Sequence, residues 1–105
     1  MFIAMNRFQV QPGRGEDFER IWRERDSYLV GVPGFLQFAL LRGADGEYVS
    51  HSTWQSHAAF DAWTQSEAFR RGHAQGSLTG ILAGPPAVSV YESVMVTPAD
   101  HPARS

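Results

Sequence analysis

An indole, an imidazole and an amide give this chain its best candidates for chemistry. Trp63 and His73 are ten residues apart, and the run AWTQSEAFRRGHAQG that contains them is typical of the second half of an amphipathic helix. At about 100° per residue, one stripe of that helix carries the indole, small residues and, at the C-terminal end, the imidazole. Its members are Ala59, Trp63, Ser66, Arg70 and His73. Such a stripe can form one wall of a flat, apolar pocket.

The composition limits the classes of partner and of site. The chain has 105 residues, one domain by length, and a formal net charge of −2, so we expect no binding of nucleic acid or of anionic membranes. Cysteine is absent, which excludes disulfides and thiolate metal sites and fits a reducing compartment, so we expect a cytoplasmic protein. The apolar run at residues 1–10 is too short for a membrane span and does not have the pattern of a signal peptide.

Periodicity and turn residues predict the element order βαββαβ. The predicted strands are Phe2–Val10, Gly34–Arg42, Glu47–Trp54 and Ala87–Val96, and the predicted helices are Gly15–Val30 and one that follows a Ser56 N-cap and ends near Gly72. This order is typical of a ferredoxin-like α+β sandwich, in which helices cover one face of an antiparallel sheet. The Gly/Pro-rich loop at residues 75–86 is long for so small a domain, which is typical of a functional lid.

The predicted sheet is apolar on both faces. Ile3 and Met5 alternate with the apolar row that includes Phe2 and Phe8, and the strand Gly34–Arg42 is apolar at both parities. Such a sheet needs a second covering layer, and no third helix is predicted, so we expect a homodimer. We expect residues 1–96 to form the domain and residues 97–105 to be a loosely held tail.

Each candidate site residue also has an ordinary structural interpretation. Asn6 interrupts an apolar strand face, so its amide either bonds to neighbouring groups or is aimed at a ligand. Trp63 is a typical core residue, and a histidine at a helix C-terminus is usually a surface residue. A lone imidazole does suit an iron that a macrocycle already holds, since haem needs one proximal histidine. Other polar residues in strands have no assigned role; they are Gln37, His51 and Glu92.

Taken together, Asn6, Trp63 and His73 resemble the site residues of the IsdG-like haem-degrading monooxygenases of the antibiotic biosynthesis monooxygenase (ABM) superfamily. The run MNRF places the family's asparagine at Asn6, AFDAWTQSEAFR its tryptophan at Trp63, and RRGH its proximal histidine at His73. The opening MFIAMNRF and the GVPGF turn are similar to the same family, especially to its rhizobial-type branch. The resemblance extends over residues 1–96.

The resemblance implies a dimeric α+β barrel that binds haem between the second helix and the sheet. It implies an enzyme that opens the porphyrin with O₂ and an external reductant or reductase, releasing iron and a biliverdin-like tetrapyrrole. Haem is then both cofactor and substrate. His73 is implied as the iron ligand, Trp63 as the residue that presses the macrocycle out of plane, and Asn6 as a hydrogen-bonding group for the attacking oxygen. Arg70 and Arg71 are candidate partners for the propionates, with solvated helix-end arginines as the alternative.

Two other functions stay open at this point. A cofactor-free ABM monooxygenase acts on a phenolic polycyclic substrate with an Asn–Trp pair, and it leaves His73 without a role. A haem-binding carrier or sensor uses the same residues to hold haem without turning it over.

Overall fold

The computed structural model describes residues 1–25, 28–74 and 78–99, and for residues 72–74 it describes the backbone alone. Within these residues the elements, in chain order, are β1 (Phe2–Gln9), α1 (Gly15–Arg25), β2 (Phe35–Arg42), β3 (Glu47–Trp54), α2 (His57–Thr64), α3 (Glu67–Ala74) and β4 (Ala87–Glu92). No helix in the described ranges is long and apolar enough to cross a membrane. Most of the predicted tail, residues 100–105, lies outside the described residues.

The strands form one sheet in the order β2-β3-β1-β4, and every neighbouring pair is antiparallel. This topology confirms the predicted ferredoxin-like α+β class. Residues directly opposite each other in an antiparallel ladder project from the same face of the sheet. Asn6 lies opposite Ser50 on β3 and opposite Val88 on β4, so these three residues share the face that the helices cover.

The core consists of two aromatic clusters at opposite ends of the strands. The first contains Phe8, Val10, Phe18, Tyr48 and Ile81, and the second contains Phe2, Leu29, Trp54 and Trp63. The rings of Phe18 and Tyr48 are 4.8 Å apart in the first cluster, and the rings of Trp54 and Trp63 are 6.1 Å apart in the second. The helices therefore rest on the sheet at two separate places.

The prediction of one continuous second helix was wrong, because the structure divides it at Gln65 and Ser66. The Ser66 N–H donates back to the Trp63 carbonyl at 3.0 Å, and the Ser66 hydroxyl accepts from the Phe69 N–H at 3.1 Å. A serine oxygen competes with backbone carbonyls for amide hydrogens and favours helix starts. Ser66 therefore ends α2 and caps α3.

The first helix and the last strand are also shorter than predicted. α1 ends at Arg25 rather than Val30, and the described residues after it form a turn in which Gly31 has a φ of 81° and the Val32 N–H bonds to the Leu29 carbonyl. β4 ends at Glu92 rather than Val96 because its neighbour β1 begins opposite Glu92, at Phe2. Within the described residues, the chain beyond Glu92 has no strand to pair with.

Gly34 lets the start of β2 approach α2 closely. Its φ is 80°, and a β-carbon at this position would collide with the Ala59 β-carbon, so glycine fits best. The Gln55 N–H donates to the Gly34 carbonyl at 2.8 Å, and the predicted N-cap Ser56 is confirmed by its acceptance of the Ala59 N–H at 3.1 Å. These contacts fix α2, and with it Trp63, against the sheet.

The segment before β4 is anchored to the end of β1. Leu82 forms a bridge with Val10, and the Gln11 N–H donates to the carbonyl of the buried Ile81 at 2.8 Å. The predicted anchors Leu78, Ile81 and Leu82 all belong to or pack against the first cluster. Residues 75–77 lie outside the described residues, and the lid function of this loop stays a prediction.

A polar contact joins α1 to β3 beside the first cluster. The Tyr48 hydroxyl donates to the Glu19 carboxylate, which also pairs with Arg42 at 3.1 Å and with Arg23 at 3.3 Å. The hydrogen bond from Tyr48 holds the pKa of Glu19 below its ordinary value of 4.5. Burial, together with Glu19, raises the pKa of Tyr48.

Glu19→Gln should therefore destabilise the protein in a pH-dependent way. A carboxylate with a lowered folded-state pKa adds stability that is present above its unfolded pKa and is lost as the pH falls through its folded pKa. We expect the free energy of unfolding to drop by about 1 kcal/mol at neutral pH and the difference from wild type to shrink toward about pH 3. Urea unfolding at both pH values measures this, with Glu24→Gln on the exposed side of α1 as the control. A pH-independent difference would contradict the role given to the carboxylate charge.

Candidate functional site

The helix-facing side chains of β1 and β3 are large at the strand ends and small in the middle. In paired order they are Phe2, Ala4, Asn6 and Phe8 on β1 and Trp54, Ser52, Ser50 and Tyr48 on β3. The aromatic ends belong to the two core clusters, so the helices rest on them and leave a space over the small residues. This space is a cavity of about 750 Å³.

Aromatic side chains from all three helices form the roof and walls of this cavity. They are Trp22 on α1, Phe60 and Trp63 on α2, and Phe69 on α3. Pro86 and Val88 line the side next to β4, where Val88 remains 66% exposed. The cavity therefore opens beside β4, and its volume lies within the range of about 300–1,000 Å³ of small-molecule sites.

Asn6 lines the floor of the cavity and has an unsatisfied polar atom. Its Oδ1 atom is buried and has no hydrogen-bond partner among the described residues. A buried amide oxygen without a partner is destabilising by about 1–3 kcal/mol. The amide can present either its oxygen or its NH₂ group by rotation, so it can accept from or donate to a ligand. We interpret Asn6 as a group prepared for a ligand rather than as a structural residue.

Trp63 is held in the cavity wall by other aromatic rings. It lies in the last turn of α2, stacks on Trp54 with an interplanar angle of 27°, and meets Phe69 edge-on at 5.5 Å. Trp63 is buried, and it lines the cavity. The structure thus brings Asn6 and Trp63, predicted from separate elements, to the same cavity.

The predicted stripe from Ala59 to His73 assumed one continuous helix, and the break divides its residues between α2 and α3. Arg70 is exposed and donates to the Gln65 carbonyl at 3.3 Å, outside the cavity lining, while Arg71 is exposed and pairs with Glu67 at 2.9 Å. The backbone of His73 lies in the last turn of α3, and its side chain lies outside the described residues. Its role as iron ligand stays a prediction.

The other polar strand residues lie away from the cavity. His51 and Gln37 project from the opposite face of the sheet, as their positions next to Ser50 and Phe38 require. Glu92 is on the helix-covered face, but it lies opposite Phe2 at the end of β4 and is exposed. None of these three lines the cavity.

Two α1 residues that sequence reasoning did not single out as site residues also line the cavity. Arg25 is 9% exposed, and its guanidinium carbon lies 5.2 Å from the centre of the Trp22 ring. Burial lowers the pKa of Arg25. The sequence does contain a signal for Trp22 and Arg25. Phe18, Trp22 and Arg25 share one apolar helix face, and a cation within such a face is unusual.

The lining decides which ligands fit. It is mainly aromatic and aliphatic, with polar groups confined to a few positions such as Asn6 and Arg25, which is typical of sites for flat organic molecules. Among the described side chains, no group of three or more His, Asp or Glu residues could hold a bare metal ion.

The sequence matches the antibiotic biosynthesis monooxygenase family over residues 1–75, and the chain belongs to this family. It is 35% identical over 68 residues to the mycobilin-producing haem oxygenase of Mycobacterium tuberculosis, an alignment that covers 63% of this chain and 65% of that relative. It is 34% identical over 71 residues to the deoxynogalonate monooxygenase of Streptomyces nogalater, with 68% of this chain and 53% of that relative covered. The chain thus spans less than two thirds of the length of both relatives.

Among solved structures, the fold is similar to that of MhuD, a haem degrader from Mycobacterium tuberculosis with two haems bound in its active site. The two chains are 28% identical with a TM-score of 0.77, and the alignment covers 93% of this chain and 100% of MhuD. These likenesses confirm the predicted membership of the ABM superfamily and support its IsdG-like group. The rhizobial-type branch stays a prediction.

Asn6→Leu should stabilise the protein, since it removes the unpartnered amide oxygen and fills part of the cavity floor. We expect the free energy of unfolding to rise by about 1 kcal/mol. Asn6→Asp has the same shape but buries a charge, so it should lower stability instead. Urea unfolding of both variants against wild type checks this pair. A loss of stability in Asn6→Leu would show that Asn6 supports the fold and was not left unsatisfied for a ligand.

Proposed function

We propose that this protein is a haem-degrading monooxygenase that binds haem between its helices and its sheet and opens the porphyrin with O₂ and an external electron donor. The observation that carries the proposal is Asn6, which lines the floor of an aromatic cavity and whose buried amide oxygen has no hydrogen-bond partner among the described residues. The likeness to a haem oxygenase and to a haem-bound structure supports it. The expected products are iron and an open tetrapyrrole.

Haem fits the cavity in shape and in polarity. Its flat apolar ring matches the aromatic walls, and burial of apolar surface contributes about 25 cal/mol per Å² to binding. Its propionates need cations, and Arg25 is a buried cation in the lining. When bound, haem supplies the iron at which oxygen is activated and the ring that is cut.

In this proposal Asn6 is a catalytic residue that acts on the reacting oxygen. Its amide lies in a cavity from which a bound ring excludes most water, and hydrogen bonds aimed in advance at developing charge are strong in such a place. Its neighbours Ser50 and Val88 leave the amide free to face the cavity. Asn6 therefore contributes to turnover more than to binding.

Trp63 acts on the shape of the ligand. Trp54 and Phe69 contact its ring and restrict its movement. We expect a flat macrocycle that packs against Trp63 to bend, which exposes a meso carbon to attack. Trp63 is therefore a binding residue that also deforms the substrate.

We propose His73 as the iron ligand from the protein. It lies in the last turn of α3, and Ser66 starts this helix separately from α2, so α3 sets the position of His73 independently of Trp63. Ligation requires neutral imidazole, whereas the C-terminus of a helix favours the protonated form. Haem affinity should therefore weaken as the pH falls through the titration range of histidine.

Asn6→Ala should separate binding from turnover. We expect this variant to bind haem with near-native affinity and to bleach the Soret band about 100-fold more slowly with ascorbate, O₂ and catalase, the loss typical of a missing hydrogen bond to a developing oxyanion. His73→Ala should instead weaken or shift the Soret band before any reductant is added, and the exposed His57→Ala is its control. If Asn6→Ala turned over as fast as wild type, the role of Asn6 would be wrong.

The same experiment distinguishes the other candidate functions. A cofactor-free monooxygenase on a phenolic polycyclic substrate is supported by the likeness to deoxynogalonate monooxygenase, and it predicts no specific haem spectrum and no effect of His73→Ala. A haem carrier predicts a stable Soret band that reductant and O₂ do not bleach. Bleaching that depends on Asn6 agrees with neither alternative.

We also propose that the protein is a homodimer through the face of the sheet opposite the helices. Leu41 and Tyr91 project from this face and are each 48% exposed, and Ile3 lies beside Tyr91. A second copy of the same face is the natural cover for such apolar surface, and stable interfaces bury about 1,200–2,000 Å² in total.

Light scattering at micromolar concentration should return twice the chain mass of 11.7 kDa. Leu41→Glu should shift the protein toward monomer because it places a charge in the interface, whereas Ala58→Glu on the exposed side of α2 should not. A mass of 11.7 kDa for wild type would exclude this dimer.

A further inference from the structure

A serine in the cavity floor holds the tryptophan that supports the Trp63 wall. The Trp54 Nε1–H donates to the Ser52 hydroxyl oxygen at 2.9 Å, and this hydroxyl donates to the Ala4 carbonyl oxygen at 3.4 Å. Trp54 is fully buried and stacks on Trp63 with ring centres 6.1 Å apart. A continuous series of contacts therefore connects the backbone of β1 with the ring of Trp63.

We propose that Ser52 is a positioning residue, which fixes the orientation of Trp54 and, through it, the angle at which Trp63 meets the bound macrocycle. This inference rests on the proposed function, because it names what sets the shape that Trp63 imposes on the substrate. Ser52 and Trp54 also line the cavity, so a test must separate this indirect effect from a direct contact with the ligand.

Packing alone leaves the orientation of the Trp54 ring open. Phe35 and Phe60 meet this ring edge-on, with interplanar angles of 62° and 70°. Such contacts restrict the plane of an indole, but an indole turned over within that plane keeps most of them. A hydrogen bond is directional, and a buried indole N–H without a partner is unfavourable. The bond to Ser52 therefore selects one orientation of Trp54.

The Trp63 ring depends on this support because it lies beside two open spaces. It lines the cavity and also a second space of about 300 Å³, which it shares with small side chains such as Ala59 and Ala62. A side chain next to open space lacks packing contacts on that side. Trp54 stacks on the Trp63 ring, and Phe69 meets it edge-on. A change in the tilt of Trp54 should therefore move Trp63.

The ligand-free protein tests the link between Ser52 and Trp63. Fluorotryptophan replaces the three tryptophans, and the fluorine NMR line of Trp63 is assigned with Trp63→Phe. We expect Ser52→Ala to shift and broaden this line in the wild-type background but not in Trp54→Phe, where the hydrogen bond is already absent. Ser52→Thr keeps the hydroxyl and should retain the wild-type line. Ser50→Ala, which removes the other serine hydroxyl of the floor, is the control.

The haem complex tests the effect on the macrocycle. In the ferric cyanide complex, the shifted NMR lines of the ring methyl groups report the shape of the porphyrin. We expect Ser52→Ala to bind haem with near-wild-type affinity while these lines move toward those of Trp63→Phe. In the Trp54→Phe background, Ser52→Ala should cause no further shift, whereas a direct contact between Ser52 and the ligand would still produce one.

The outcomes distinguish this inference from the proposed function. An unchanged Trp63 line in ligand-free Ser52→Ala, or the same effect of Ser52→Ala with and without Trp54, would show that Ser52 does not position Trp63. A moved Trp63 line with unchanged porphyrin lines would refute control of the macrocycle shape. The comparison of Ser52→Ala with Ser52→Thr decides the first point even if Trp54→Phe folds poorly. Failure of wild type to bind haem would refute the proposed function and, with it, control of the macrocycle, while the ligand-free experiment would still decide whether Ser52 positions Trp63.

Discussion

The architecture depends on the separation of two aromatic clusters by a row of small side chains. Phe2 and Trp54 hold the helices off the sheet at one end, and Phe8 and Tyr48 do so at the other. Between them, serine and alanine side chains do not reach the helices, and a cavity remains. Interiors are normally packed to the density of organic crystals, so a domain of this size gives up core contacts to keep this space. A ligand that fills the space restores those contacts.

The same arrangement explains why the site is rigid where chemistry needs it. Trp63 is packed between rings, and α2 is fixed by the Ser56 cap and by the close approach at Gly34. Asn6 is on β1, a central strand with partners on both sides, so its backbone cannot move far. Ser66 starts α3 separately from α2, and the cavity wall ends at Phe69 on α3. The chain then returns to the end of β1. Trp63 and Asn6 are thus held in place by packing and by strand pairing.

Much of the fold could be predicted from local patterns. β3 has the predicted bounds Glu47–Trp54, and the alternation of β1 correctly predicted that Phe2, Ala4 and Phe8 face the core. The break at Ser66 could not be read from periodicity, because the apolar spacing continues across it while a hydroxyl captures the backbone amide. The end of β4 depends on where its partner β1 begins, which is a feature of the tertiary structure and not of the local sequence.

For the site, residue type was more informative than helix geometry. Asn6 and Trp63 were selected because their residue types and positions match the family's motifs, and both line the cavity. The stripe through Arg70 assumed an unbroken helix, which the structure divides, and the cavity-lining Arg25 was not singled out although a cation on an apolar helix face is unusual. The floor was missed because Ser50 and Ser52 look unremarkable until the register places them between aromatic residues.

If the space over these small residues is the haem site, Ser50→Leu should obstruct it, and haem titration of this variant measures that effect. Ser50 is buried opposite Asn6 in the cavity floor, and a leucine there occupies ligand space. We expect haem affinity to fall at least about tenfold while the free energy of unfolding stays level or rises, since added apolar burial is favourable. Unchanged haem affinity in a folded Ser50→Leu protein would contradict it.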